Sequence, residues 1–160
     1  MVVTTELELR KAVAGDVDDL TELADQRRVE YERFQPRFWR PADDARTRQG
    51  KFFVSVLTDP DVMVVVGRDA SALRGFAIAR LVPSPPVYDP GGLTCWVDDF
   101  AVSEAVDWPY LGAKLLEFVR DWSAQRGGVQ VVVVTAHLDT PKREALRAAG
   151  LSIASEWWVG

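Results

Sequence analysis

Hydrophobic residues change from strand-like to helical spacing between Thr94 and Gly128. Residues 94–102 are rich in Val, Trp and Phe and predict a strand. From Tyr110 onward, apolar side chains return every three or four residues, which predicts an amphipathic helix. Gly127-Gly128 ends this helix, because glycine adopts the left-handed conformation without steric cost. The valine run at 129–134 then predicts a strand buried on both faces.

The remainder of the chain shows the same two periodicities. The further predicted strands are residues 6–12, 62–66, 73–81 and 151–159. The further predicted helices are residues 16–24 (capped by Asp16), 41–57 and 140–149. In the second of these, Phe52, Phe53, Val56 and Leu57 are expected to point inward. Residues 83–92 hold too much Pro and Gly for regular structure and predict a surface loop.

Strand, helix and strand over residues 94–134 form a crossover unit. Such crossovers join parallel strands with a right-handed turn. The helix therefore begins at the carboxyl end of its first strand, where open α/β sheets usually bind ligands. Backbone N–H groups at a helix start attract anions, so residues 103–112 are a candidate ligand loop.

The length, charge and composition of the chain limit the classes of function that it can have. A chain of 160 residues is consistent with one domain spanning residues 1–160. Its net charge of −5 argues against a nucleic-acid partner and is compatible with a cationic substrate. Cys95 and His137 are the only residues of their types, so a Cys/His metal cluster is excluded and no metal is expected. The N-terminus lacks a signal-peptide pattern and the valine run is too short to span a membrane, so we expect a cytoplasmic protein.

The chain resembles the GNAT superfamily of acyl-CoA-dependent N-acetyltransferases in four segments. They are the run Asp98-Asp99-Phe100-Ala101-Val102, the helix opening Leu111-Gly112-Ala113, the valine strand and the closing Ala-Ala-Gly-Leu. This resemblance implies an α/β fold with a mixed twisted sheet of about six strands and about four helices. It also implies acetyl-CoA, or another acyl-CoA, as co-substrate and a small amine or exposed amino group as acceptor. The residues that would contact the acyl-CoA are Phe100, Ala101, Val102, Trp108, Tyr110, Leu111, Gly112, Ala113 and Asp139.

The sequence departs from the family at the positions that bind phosphate and protonate the leaving group. Asp107 stands at the family's arginine or glutamine, and Tyr110 at its first glycine. Pro109 removes one backbone N–H from the loop. Leu146 stands where a tyrosine frequently protonates the thiolate. The alternative to an enzyme is therefore a catalytically degenerate GNAT-fold module that binds a ligand or a partner.

Asp98 and Asp99 are the candidate general bases. Consecutive carboxylates in a strand point to opposite faces, so at least one should be paired, hydrated or catalytic. Burial would raise its pKa toward the range that a base needs. We expect Asp98 to accept the proton from the attacking amine, or Asp99 through water. Cys95 is more consistent with a small core residue than with a nucleophile.

The segment from Tyr31 to Arg40 interleaves four aromatic residues with three arginines. One interpretation is a loop between two helices that is pinned by aromatic anchors or forms a dimer contact. The other, implied by the resemblance, is a wall of the acceptor site that includes Tyr31, Phe34 and Trp39. Together with the terminal Trp157-Trp158, which favours core or dimer packing, this segment predicts a homodimer.

Overall fold

A computed structural model describes residues 6–160. Residues 1–5, which belong to the N-terminal stretch considered above for a signal peptide, lie outside the described residues. The strands are β1 (Glu8–Lys11), β2 (Val62–Arg68), β3 (Leu73–Val82), β4 (Leu93–Val102) and β5 (Gly128–Val133). The helices are α1 (Val17–Phe34), α2 (Ala45–Leu57), α3 (Ala113–Ala124) and α4 (Thr140–Ala148). The predicted mixed α/β architecture with four helices is therefore confirmed within the described residues.

The five strands form one sheet in the order β1-β2-β3-β4-β5. Neighbouring strands are antiparallel except for β4 and β5, which are parallel, as the crossover predicted. β2 alternates between the two faces of the sheet, so that Val64 packs toward α1 and α2 while Val65 packs toward α3 and α4. The largest fully buried side chains of the two cores include Phe53 and Phe76 on one face and Trp108 on the other.

The carboxyl edge of the sheet holds two irregular turns between β4 and α3. Residues 105–107 form a 3₁₀ turn, and residues 108–112 form a wide π-helical turn that leads directly into α3. Wide turns of this kind occur frequently at functional sites. They deliver Trp108 into the core against Phe100.

Two predicted strands differ from the structure. No strand forms over residues 151–160, where Ile153, Trp157 and Trp158 are exposed; the tryptophans are therefore not core residues. β5 is not buried on both faces, because within residues 6–160 no strand pairs with its outer edge, and Val129 is exposed. Burial on both faces needs a neighbouring strand or a covering helix, and a valine run cannot encode either.

The connection between α1 and α2 lies later in the chain than the sequence suggested. α1 continues to Phe34, so that Tyr31 and Phe34 lie on the helix and not in a loop, and α2 begins at Ala45, four residues after Pro41. Phe53 and Val56 point inward as predicted, whereas Phe52 is exposed. Among residues 6–160, no helix combines the length and apolar character that crossing a membrane requires.

Candidate functional site

The candidate site begins at a bulge in β4. Ala77 and Ala79 of β3 pair with Phe100 and Val97 of β4, so β4 carries one extra residue at Asp98-Asp99. Such bulges bend a strand and re-aim its side chains, and they are common next to active sites. Here the bulge marks the point where β4 and β5 separate, because their last paired residues are Val97 and Val133.

The bulge gives its two carboxylates different surroundings. Asp98 is exposed, whereas Asp99 is partly buried and accepts a hydrogen bond of 3.2 Å from Gln49 Nε2. Gln49 in turn accepts from Arg28 at 2.8 Å. Burial raises the pKa of the Asp99 carboxyl; the Lys142 charge opposes this shift and the charge of Asp98 reinforces it. Asp99 is therefore the partly buried carboxylate of the pair, with a raised pKa.

A buried lysine occupies the space where β4 and β5 diverge. Lys142 Nζ donates to Phe100 O at 2.9 Å and to Val134 O at 3.1 Å, bridging the two strands. We call the space between these two carbonyls the strand gap. The Lys142 side chain is almost fully buried, and burial lowers its pKa to about 8.

Asp139 links the start of α4 to α1. It is 1% exposed, and its carboxylate accepts from Arg27 Nη2 at 2.7 Å and from Tyr31 Oη at 3.0 Å. Burial and the neighbouring Asp139 charge raise the pKa of the Tyr31 phenol, which therefore stays a hydrogen-bond donor. The structure thus brings Tyr31 and Asp139, two of the sequence-predicted residues, into direct contact.

The three aromatic residues proposed for the acceptor site form one cluster. The Tyr31 ring lies 5.6 Å from Phe34 and 5.1 Å from Trp39, measured between centroids. Phe38 stacks edge-on against Trp39 at 4.6 Å and contacts Trp157 of the C-terminal segment at 6.0 Å. Through Tyr31 this cluster borders Asp139, so it reaches the same edge of the sheet as the strand gap.

Trp108 fills the space beside Phe100. It is 1% exposed, its ring meets Phe100 edge-on at 4.9 Å, and a methyl group added at Gly112 would approach its ring to 2.5 Å. The enclosed space between Trp108, Phe100, Gly112, Leu116 and Leu146 has no room for a water molecule. A ligand lying along Phe100 in this space would therefore have to displace the indole.

The polar group of Trp108 nevertheless lacks a hydrogen bond to the described residues in this buried position. Its buried indole N–H has no hydrogen-bond partner within residues 6–160, and neither does the buried hydroxyl of Ser103 at the end of β4. A buried polar group without a partner costs about 1–3 kcal/mol. Two such groups lie at the carboxyl end of β4.

The turn between β4 and α3 offers fewer free amides than the sequence suggested. The N–H groups of Ser103, Asp107, Trp108 and Ala113 all donate to backbone carbonyls. The Asp107 carboxylate accepts from Arg74 at 2.9 Å and does not cap the turn. Tyr110 is exposed under Lys114 Nζ, which lies 4.7 Å from the ring centroid. Lys114 and Arg74 thus place cations next to this turn.

The remaining predicted residues are core residues or lie away from this edge. Leu111 is buried against Gly67 and Gly75. Ala101 and Val102 are buried on opposite faces of β4. Cys95 is buried and its thiol pKa is raised by burial, which fits a core residue, and His137 is exposed. A surface hollow of about 510 Å³ lies between α1 and α2 and is lined by residues that include Thr21, Arg46, Gly50 and Val54, none of which is a predicted site residue.

Comparison with known proteins identifies the architecture. No protein-family model and no curated protein sequence matches the chain. A predicted acetyltransferase from Clostridium acetobutylicum, solved with acetyl-CoA, superimposes with a TM-score of 0.75 at 14% identity, covering 96% of this chain and 95% of that one. An aminoglycoside N-acetyltransferase in complex with CoA gives a TM-score of 0.72 at 14% identity, covering 100% and 97% of the two chains. The chain has the fold of the GNAT acetyltransferases.

A third solved structure agrees with this assignment. The GNAT-fold glucosamine-6-phosphate N-acetyltransferase from Arabidopsis thaliana superimposes with a TM-score of 0.68 at 15% identity, covering 97% of each chain. Each match extends over nearly the whole of both chains, so the likeness concerns the complete GNAT fold and not a local motif.

Sequence reasoning did not single out Lys142, Arg27 or Gln49. The signal for Lys142 was present, because it lies four residues before Leu146 and so on the apolar face of α4. Arg27 and Gln49 gave no such signal. Their partners Asp139 and Asp99 lie 112 and 50 residues away in sequence, and only the packed GNAT fold brings them together.

Proposed function

We propose that residues 1–160 form a single acyl-CoA-dependent N-acyltransferase domain. It would transfer an acyl group from acetyl-CoA, or another acyl-CoA, to a small amine or exposed amino group by direct attack. The observation that carries this proposal is the position of Asp99. It is a carboxylate with a burial-raised pKa at the bulge where β4 leaves β5, at the ligand-binding edge of the sheet. The GNAT fold shared with acetyltransferases adds support.

Proton removal, placement of the acyl-CoA arm and binding of the amine each have candidate residues. The attacking ammonium must lose a proton, and Asp99 accepts it, with the exposed Asp98 as the alternative acceptor. Phe100, Ala101 and Val102 lie beyond the last β4–β5 pair, so β5 leaves this edge free for the acyl-CoA arm. Asp139 holds the aromatic cluster of Tyr31, Phe34 and Trp39, whose ring faces suit an amine.

The acyl-CoA arm requires Trp108 to move. A ligand that displaces the ring costs the packing contacts of the indole. It also relieves the buried indole N–H, which has no hydrogen-bond partner in the described part of the chain, so the two effects oppose each other. The vacated space would be bounded by Phe100, Gly112 and Ala113, and Lys114 and Arg74 would face the phosphates. Tyr110 and Leu111 contribute the turn itself, with Leu111 anchoring it in the core.

A second candidate function is a catalytically degenerate module that binds a ligand or a partner. It is favoured by the strand gap, which Lys142 occupies, and by the space beside Phe100, which Trp108 fills. Asp107 adds a carboxylate close to the proposed phosphate position, and Leu146 cannot protonate a thiolate. On this alternative, the fold persists without acyl-CoA chemistry.

Calorimetry with acetyl-CoA and longer acyl-CoAs distinguishes the two functions, followed by thiol release with a panel of amines. The enzyme hypothesis expects binding, thiol release and tighter binding by Trp108→Ala, which opens the space beside Phe100. Trp158→Ala, at an 88% exposed position, is the matched control and should bind like the wild type. Absence of binding by both the wild type and Trp108→Ala would reject the enzyme and leave the degenerate module.

We also propose that the protein is a homodimer. The support is the exposed apolar C-terminal segment, in which Trp157 and Trp158 are 71% and 88% exposed, together with its contact with Phe38. Tryptophans left in water are unusual unless a partner covers them.

A further inference from the structure

Lys142 is a buried cation without a carboxylate partner. No carboxylate lies within salt-bridge distance of Nζ among residues 6–160, and both of its hydrogen bonds go to neutral backbone carbonyls. Buried lysines are rare unless they are paired, because the ammonium loses its hydration. An apolar side chain of similar length would fill the same space at lower cost, so the amine itself calls for an explanation.

The amine lies at the point where an acyl group would be delivered. Nζ touches Phe100 O, the first residue of the β4 edge along which the acyl-CoA arm is proposed to run. The rings of Phe100 and Trp108 lie 5.4 Å and 5.6 Å from Nζ, so displacing Trp108 would expose Lys142 to the same space. The remaining lysines, Lys11, Lys51 and Lys114, are exposed at the surface.

The surroundings of Lys142 favour a neutral, nucleophilic amine. Burial lowers its pKa to about 8, and Arg27 on α1 acts in the same direction. The charges of Asp139 at the start of α4 and of Asp98 and Asp99 on β4 act in the opposite direction. A substantial fraction of the amine is therefore unprotonated just above neutral pH, which acyl transfer to nitrogen requires.

We propose that Lys142 is an acyl acceptor within its own chain, taking the acyl group from an acyl-CoA bound beside Phe100. This inference rests on the proposed function. Self-acylation would turn the cation that bridges the strand gap into a neutral amide.

The step balances without a further reactant. The Lys142 ammonium gives one proton to solvent, and the Nζ lone pair then forms a bond to the thioester carbon. The carbon–sulfur bond breaks, CoA leaves as a thiolate, and the second nitrogen proton passes to that thiolate. The products are an Nζ-acyl lysine, free CoA and the one proton released to solvent. The amide keeps one N–H, so it can still donate to either Phe100 O or Val134 O.

The test is mass spectrometry of the intact wild-type protein before and after incubation with acetyl-CoA, followed by peptide mapping. The expected result is one acyl group per chain, at Lys142 and stable to hydroxylamine, which distinguishes an amide from a thioester on Cys95. Because the acceptor is held beside the thioester, its rate should exceed that of each surface lysine on the order of a hundredfold. Protein purified with Lys142 already acylated supports the inference equally.

Two controls separate this inference from the proposed function. Unfolding the protein in urea should reduce the Lys142 rate to that of Lys51, and Lys142→Met should remove the fast modification while far-ultraviolet circular dichroism reports its fold. Acylation of Lys142 no faster than Lys51 in the folded wild type, with acetyl-CoA bound and an added amine acylated, would overturn the inference and leave the enzyme proposal standing. Failure to bind acetyl-CoA would overturn both.

Discussion

At the scale of single residues, Asp99 is the side chain whose environment is most clearly adapted to proton transfer. Burial raises the pKa of the Asp99 carboxyl in the folded state above its unfolded value of about 4. The protonated carboxyl therefore contributes fully to the free energy of unfolding below pH about 4, and this contribution is lost as pH rises through the folded pKa. Asp99→Asn should therefore stabilise the fold at neutral pH while lowering turnover by about 10²–10⁴-fold. Urea unfolding and thiol release measure the two effects.

Asp98→Asn is the matched control for this prediction. Asp98 is the exposed neighbour in the same bulge, so its removal should change stability little. If turnover instead falls for Asp98→Asn and not for Asp99→Asn, the base is Asp98, as the sequence first suggested.

Lys142 gives a second prediction at this scale. Its folded pKa of about 8 lies below the unfolded value of about 10.4, so the unfolded state binds more protons between these values and stability rises with pH there. Relative to Lys142→Met, the wild type should gain about 2 kcal/mol between pH 7.5 and pH 10. Urea unfolding of both proteins measures this gain, because the other titrating groups are common to the two. A constant difference across this range would mean that the amine is not buried in solution.

At the scale of elements, the π-helical turn and the start of α3 are built around the contact between Trp108 and Gly112. A methyl group at residue 112 would lie 2.5 Å from the indole, closer than packed atoms approach, so the ring or the turn must shift. Gly112→Ala should destabilise the protein by about 1–3 kcal/mol and change the near-ultraviolet circular dichroism of Trp108.

Gly15→Ala is the control for the same substitution in open space. No atom lies within 4 Å of the added methyl group at residue 15. Equal stabilities for the two variants would show that Trp108 does not pack on Gly112 in solution.

At the scale of the whole molecule, β5 is an open edge of the sheet within residues 6–160, and Trp157 and Trp158 are exposed. An edge strand and an apolar segment left in water both favour association. We expect the wild type to sediment as a dimer and the double variant Trp157→Ser/Trp158→Ser to sediment as a monomer in analytical ultracentrifugation.

Val87→Ser provides the comparison for this prediction, because Val87 is 82% exposed in the loop between β3 and β4. It should leave the dimer intact. A wild type that sediments as a monomer at every concentration would contradict the prediction.

The sequence by itself determined the order of elements, because hydrophobic periodicity is a local property. The pattern from Thr94 to Val134 was sufficient for a strand, a helix and a parallel strand, and the motifs around Asp98 and Gly112 were sufficient for the GNAT fold. The pair of carboxylates also made residues 98–99 the candidate site for proton transfer, which stays a prediction, although it did not indicate the different exposures of Asp98 and Asp99.

Only the tertiary structure decided which groups meet and which edges stay open. The final strand did not form although residues 151–159 alternate suitably, because a strand exists only where another backbone pairs with it. Lys142 looked like an ordinary helix residue until packing enclosed it between two diverging strands. Desolvation and long-range pairing depend on neighbours from distant parts of the chain, so no local pattern encodes them.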